Sequence, residues 1–452
     1  MQVDKWINMN KYADLVAKNN QIDPAYFTKY EVKRGLRNND DTGVLVGLTQ
    51  IGDVHGYIVD EKERVPVQGR LRYRGIELKE LVGGFQKEKR FGFEETIYLL
   101  LFGQLPNEKE LKEFTRILGE KRALPAGFTE DMILTAPSSN IMNKLARSVL
   151  ACYSYDDNAE DNSVENVLRQ SIELIARFPT FIAYGYQAKM HYHEKKTLYI
   201  HTPDPELSTA ENILRLIRPD GSYTALEAEM LDLALVVHAE HGGGNNSAFS
   251  IHVVSSADTD TYSAVAAAVG SLKGFKHGGA AIKVREMIDN FKQNLGDWED
   301  EEEVARYIEQ ILRKEVFDQK GLIYGMGHAV YTFSDPRAVL LKGRAKDLAK
   351  EKGYEREYRL YDMVERLTPA IFKRVKNSEK VISANVDFYS GFVYHMLDIP
   401  MDLFTPIFAA ARIPGWTAHR IEEIINGGRI LRPAYKHIRK EAMSYTPIMD
   451  RK

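Results

Sequence analysis

The chain has 452 residues, 44% of them apolar and 28% charged, and its 61 Lys and Arg against 64 Asp and Glu leave a formal net charge of −3. That length leaves room for two or three domains, each with its own core. The near-neutral balance removes any electrostatic ground for expecting nucleic acid or an anionic membrane as the main partner, while a few arginines in one place could still hold a compact anion.

The opening MQVDKWINMNKY has no apolar signal core, so neither a secretory nor a transit peptide is expected. The first forty residues suggest one or two short helices. Between about 43 and 78 the chain is rich in Val, Ile, Gly and Tyr with frequent turn residues, the pattern of short strands and hairpins. Helical spacing takes over from there. GFEETIYLLLFG reads as a helix ending near Gly103, followed by a second helix capped by Asn107. Further helices fit 139–155, 163–186, 207–217, 224–240, 258–273, 278–294, 300–314, 335–352, 356–374, 389–397, 401–412 and 414–426. The single cysteine, Cys152, falls in the first of these and reads as a small buried hydrophobe, which rules out an intrachain disulfide and suits a reducing compartment. No apolar run reaches the ~20 residues of a spanning helix, so no membrane association and a cytoplasmic location are expected. Strands do not alternate with helices, and neither G-x-G-x-x-G nor G-x-x-x-x-G-K-[ST] occurs, which argues against a dinucleotide or P-loop fold. The fold class expected is mostly α with minor β near the N-terminus.

Four stretches carry more glycine, histidine and acid than helix packing requires. LVVHAEHGGGNNSAF holds His238 and His241, and GFKHGGAAIKVREMI places His277 before a glycine pair at a helix start. In GLIYGMGHAVYTFSDPRA, Gly325 and Gly327 bracket a tight turn into His328, with Arg337 nine residues on. In ANVDFYSGFVY, Asp387 lies between apolar neighbours just before a Ser-Gly turn. Singly, each has a bland explanation. A histidine beside glycines is usually a helix-end residue, a lone aspartate ahead of a helix is usually an N-cap, and SDPRA is by itself a helix start with proline first. Together, three loops put a histidine where glycine lets a ligand approach the backbone.

Zinc needs three or four ligands, and His238 and His241 supply two that could share a helix face, with no C-x-x-C, H-E-x-x-H or second histidine pair to complete a set. A metal-dependent hydrolase on those two residues is therefore the minor alternative. No G-x-S-x-G elbow is present and Cys152 lacks a histidine or glycine context, so nucleophilic catalysis is also disfavoured. What remains is acid–base chemistry with one carboxylate, several imidazoles and arginines for anions. A helical binding or scaffolding protein that has lost activity is a further alternative, and its mark would be a missing catalytic group.

In order along the chain come H-G-G-G-N, K-H-G-G-A, G-M-G-H-A-V-Y with D-P-R, N-V-D-F-Y-S-G, F-A-A-A-R and I-L-R-P. From about residue 43 to 440 the chain resembles the citrate synthase family of prokaryotic type. The resemblance implies a large helical domain from 1–278 and 399–452, a small one from 279–398, and an active site in the cleft. It implies an acyltransferase that condenses acetyl-CoA, oxaloacetate and water to citrate and coenzyme A, the entry step of the tricarboxylic acid cycle. The alternative is 2-methylcitrate synthase acting on propionyl-CoA. Asp387 would remove the methyl proton, His277 would stabilise the enol oxygen, and His328 would polarise the ketone. His241, Arg337 and Arg412 would hold oxaloacetate, with Arg432 entering from the other subunit of a homodimer. Leu322, Gly325, Met326 and Asn385 would receive coenzyme A. No metal and no resident cofactor are implied, and the thioester serves as co-substrate. The family form of the first motif is D-H-E-x-x-N; here Glu240 and Gly242 flank the histidine. Thr332 stands where some relatives place a basic residue for coenzyme A phosphates.

Overall fold

A computed structural model describes residues 9–38, 42–60, 63–328, 330–438 and 444–451. The chain divides into two compact units, Met1–Leu48 with Val59–Val65, and Thr49–Ile58 with Pro66–Lys452. The first contains helices α1 (Met9–Asn20) and α2 (Ala25–Lys29), in line with the short helices expected there, and an isolated bridge between Arg37 and Gly43.

The only sheet among the described residues has three strands in the order β1 (Gly52–Asp60), β2 (Glu63–Tyr73) and β3 (Ile76–Glu77). β2 and β3 run antiparallel with Arg72 opposite Glu77 and Tyr73 opposite Ile76. Strand structure begins at Gly52, later than the valine- and glycine-rich pattern suggested.

Helices make up most of the rest. They run as α3 (Leu78–Lys87), α4 (Phe93–Phe102), α5 (Glu108–Glu120), α6 (Ile141–Cys152), α7 (Val164–Tyr192) and α8 (Thr209–Ile217). Then follow α9 (Ala225–His238), α10 (Asn246–Ser255), α11 (Thr261–Leu272), α12 (Ala280–Asn294) and α13 (Glu301–Leu312). The last are α14 (Pro336–Lys352), α15 (Glu355–Lys376), α16 (Val386–Met396) and α17 (Phe404–Asn426). No helix among the described residues is long and apolar enough to cross a membrane.

Local chemistry sets several of these ends. Capping boxes start α5 at Asn107 with Glu110, α8 at Ser208 with Glu211, and α9 at Thr224 with Glu227. α14 starts with Asp335 as N-cap and Pro336 in the first turn. α16 begins three residues earlier than expected because Asn385 caps it, so Asp387 sits inside the first turn and the Ser-Gly pair is helical. α17 is a single helix through Pro414, where two helices were expected. Proline usually breaks a helix by about 3 kcal/mol, but here every residue from Phe404 to Ile421 is buried, and that packing holds the rod together. It packs against α4, α7, α9, α10 and α11, which makes it the axis of the core. Farther along, α12 and α14 pack on α16, α13 on α15, and α14 and α16 also touch α9. Cys152 is buried, as its context implied.

Candidate active site

One face of α17 builds much of the site. Positions 412, 415, 416 and 419 follow the three- and four-residue steps that bring side chains to the same side of a helix. Arg412 Nε donates to the His238 carbonyl oxygen at 2.5 Å, anchoring the guanidinium to the C-terminus of α9. Trp416 Nε1 donates to Ser247 Oγ at 3.0 Å, and Ser247 Oγ lies 2.9 Å from His277 Nε2. His419 Nε2 meets Glu240 Oε1 at 3.1 Å.

Two arginines on this helix are both fully buried, and they differ in one respect. Arg420 is bonded to Thr261, Ser255, Asn162 and the Thr259 carbonyl. Arg412 leaves Nη1 and Nη2 buried with no hydrogen-bond partner. Burial lowers the Arg412 pKa to about 10 against the pull of Glu240, so the group remains a cation at neutral pH. Buried guanidinium nitrogens of that kind suit a carboxylate, which accepts the fork bidentately.

His241 lies beyond the end of α9, which stops at His238, so the two histidines do not share a helix face. His238 is buried and bonded through Nδ1 to the Ala234 carbonyl, a structural role. Burial and then Arg337 keep His241 well below the ordinary histidine range, so its ring is neutral. Its Nε2 is 3.3 Å from the Tyr331 hydroxyl, and its ring centroid is 5.2 Å from that of His328. No group of three or more metal-ligating side chains gathers among the described residues.

The loop from 321 to 328 is pinned to the start of α16. Gly327 N–H donates to the Ser383 carbonyl at 2.7 Å and Asn385 N–H to the Gly325 carbonyl at 2.8 Å. The Asn385 side chain donates to the Gly327 carbonyl at 2.8 Å and accepts from Asp387 N–H at 3.0 Å. Gly325 has φ +77 and a Cβ there would come within 2.8 Å of Phe388 and Val284, so both backbone and space call for glycine. His328 emerges with Nδ1 accepting the N–H groups of Val330 and Tyr331 at 3.0 and 3.1 Å. Its ring proton therefore belongs on Nε2. Leu322, Met326, Gly327 and His328 line a cavity of about 390 Å³ together with Phe372 and Lys380.

Asp387 is half-buried on α16. Burial pushes its carboxyl up to about 6, with Arg337 and Arg412 pulling the other way and Asp335 adding to the rise. Burial, then Arg412, lowers His277 to about 4. Arg337 is bound to Asp335 through Nε at 3.0 Å and Nη2 at 2.7 Å, and Asp335 also accepts Val386 N–H at 3.1 Å. The helix-start reading of SDPRA is correct, and Arg337 is part of the same construction.

Residues His241, His277, His328, Arg337, Asp387 and Arg412 thus share one neighbourhood, tied by ring contacts, bonds and mutual electrostatics. Arg432 does not join them: it is exposed on the segment after α17 and, among the described residues, makes no hydrogen bond to any of the six. Ser247, Asp335, Trp416 and His419 support the site and were not picked out from sequence. Only the N-cap position of Asp335 gave a local signal.

A family model described as citrate synthase, C-terminal domain, matches residues 38–434. The chain is 34% identical over 383 residues to a citrate synthase of Synechocystis sp., covering 85% of this chain and 88% of that one. It is 31% identical over 381 residues to a 2-methylcitrate synthase of Shewanella oneidensis, covering 84% and 92% respectively. A crystal structure of citrate synthase from Thermotoga maritima matches with a TM-score of 0.72 at 30% identity, over 93% of this chain and 99% of that one.

Proposed function

The chain belongs to the citrate synthase family and is an enzyme of that class, and on that premise we propose that it condenses acetyl-CoA with oxaloacetate and water to give citrate and coenzyme A. The observation that carries this reading is the Arg412 guanidinium, buried with two nitrogens unbonded beside a raised carboxyl and neutral imidazoles. It suits a small dicarboxylate held next to a base.

A thioester methyl is a weak acid, so proton removal needs the enol oxygen stabilised as the proton leaves. Asp387 is the base, and its elevated pKa near 6 brings its strength toward that task while leaving it ionised at neutral pH. His277 is the donor to the thioester oxygen. The Ser247 hydroxyl has one proton and two acceptors in reach, His277 Nε2 at 2.9 Å and Asn245 Oδ1 at 3.0 Å; given to His277, it leaves the ring proton on Nδ1, free to point at that oxygen. A preorganised donor of this type is worth ~3–4 kcal/mol. His328, with its proton on Nε2, donates to the ketone of oxaloacetate and then protonates the new alkoxide. Arg337, Arg412 and His241 hold the carboxylates and hydroxyl.

Coenzyme A takes the 321–328 loop and the cavity beside it, where Lys380 supplies a cation for phosphate. Asn385 acts there by fixing the loop to α16, since both ends of its amide are already bonded within the protein. Residues 279–398 form the small domain, which closes on 1–278 and 399–452 to keep water from the enol. Arg432 completes the site of a second subunit in a homodimer.

The acyl chain is decided by experiment. Specificity constants with oxaloacetate and either acetyl-CoA or propionyl-CoA test the assignment, one methylene being worth ~1–3 kcal/mol of discrimination. A clear preference for propionyl-CoA makes the enzyme a 2-methylcitrate synthase.

A further inference from the structure

Glu240 stands next to the substrate histidine, and its carboxylate is fully buried. Oε1 receives His419 Nε2 at 3.1 Å and the Gly242 N–H, while Oε2 is buried with no hydrogen-bond partner. Arg412 feels Glu240 as its strongest favourable charge, yet the two form no hydrogen bond and no ion pair among the contacts of either side chain. A buried carboxylate and a buried guanidinium in such reach gain from closing into a bidentate pair. Something holds them apart.

The restraint comes from α17 itself. Gly415 lies one turn beyond Arg412, and a Cβ there would stand 2.5 Å from Glu240 Oε2; a Cβ at Gly52 would stand 2.7 Å from Oε1. The carboxylate therefore occupies a slot that two side-chain-free positions leave open. His419, fully buried, closes the slot from behind and draws Oε1 toward it. His419 is itself backed by His252, whose Nε2 is 3.3 Å from His419 Nδ1, and His252 Nδ1 meets Glu423 Oε2 at 2.9 Å. We propose that His419 is a positioning residue that holds the Glu240 carboxylate off Arg412, so that the Arg412 guanidinium stays open to a carboxylate of the substrate. The proposal rests on the reading of Arg412 as an oxaloacetate ligand. Without His419, Glu240 swings onto Arg412 and competes with oxaloacetate as an internal anion.

The test pairs His419→Leu with His419→Gln, whose amide can still donate to Glu240, and measures oxaloacetate affinity by calorimetry alongside KM and kcat. His419→Leu should weaken oxaloacetate binding and raise its KM by about tenfold or more while kcat at saturation stays within about threefold. His419→Gln should recover most of the loss. Adding Glu240→Gln to His419→Leu should also recover it, because a neutral amide does not compete for a guanidinium as a carboxylate does. An unchanged KM in His419→Leu, or no recovery on adding Glu240→Gln, overturns the proposal, since a packing role predicts that outcome. Should His419→Leu not fold, Glu240→Gln decides alone: with no charge to hold, its KM stays within about threefold of wild type, and a tenfold rise refutes the clamp. A wild-type protein that binds no oxaloacetate refutes the reading of the site; a wild type that binds it, with variants that do not differ, refutes the clamp alone.

Discussion

Asp335 grips Arg337 with both carboxylate oxygens, at 3.0 and 2.7 Å, and with Oδ2 also takes the Val386 N–H at 3.1 Å, so one buried aspartate joins the starts of α14 and α16. Burial opposes its charge, but Arg337 holds its pKa below the ordinary carboxylate value. Asp335→Asn keeps the N-cap and removes the charge, leaving Arg337 buried without its counter-ion. Breaking such a pair from one side costs about 3–5 kcal/mol. Urea unfolding should show a loss of that size, and KM for oxaloacetate should rise as Arg337 loses its orientation.

Asp387→Asn should lower turnover by about 10²–10⁴ with oxaloacetate affinity nearly unchanged, because the amide keeps shape and loses the base. A variant with more than half of wild-type turnover would remove Asp387 from the mechanism. The pH dependence follows from the same carboxyl. Turnover should fall as pH drops through about 6, where Asp387 takes up a proton.

The stability of that variant offers an independent check. A carboxyl whose folded pKa is raised binds its proton in the folded state over a range where the unfolded chain has lost it. Stability therefore declines from about pH 4 to about 6 and stays lower above. Asp387→Asn removes this cost, so it should be more stable than wild type at pH 8 by roughly 1–3 kcal/mol and equal to it near pH 4. Denaturant titrations at the two pH values read the difference.

Ser247→Ala leaves His277 Nε2 and Trp416 Nε1 without their common partner. With nothing to fix the tautomer, His277 presents its proton at the wrong nitrogen part of the time. We expect kcat to fall by about tenfold or more with KM for oxaloacetate unchanged, the mark of a contact made in the transition state. A pure KM effect would place Ser247 elsewhere in the mechanism.

If Arg432 serves the neighbour's site, Arg432→Leu and Asp387→Asn should each be nearly inactive alone. Refolded together in equal amounts, random pairing gives half hybrids, each with one intact and one doubly broken site, so activity should return to about a quarter of wild type. No recovery, with hybrids confirmed by native mass spectrometry, refutes the shared site.

Much of the site could be read from the sequence because its chemistry sits in short glycine-bearing motifs. The turn at Gly325 and Gly327 into His328 is a local feature, and so is the cap that opens α14. The missed parts depend on distance. His419 and Glu240 are 179 residues apart, and Ser247 and His277 are 30 apart, so no spacing rule joins them. α10 was missed because its small and polar residues after G-G-G-N-N look like a loop; its helix is stabilised by packing on α11 and α17 rather than by a polar and an apolar face. α17 was split at Pro414 for a sound local reason, which tertiary burial outweighs.

That unbroken helix has an evolutionary and practical consequence. Arg412, Gly415, Trp416 and His419 reach two otherwise separate supports of the site, namely the end of α9 with Glu240 just beyond it and the Ser247–His277 pair. Their mutual register is set by the pitch of a single rod, so the segment behaves as a cassette. In chimeras with a relative, moving residues 404–426 as one block should preserve function better than a crossover at Pro414, which mixes two parental phases within one screw axis.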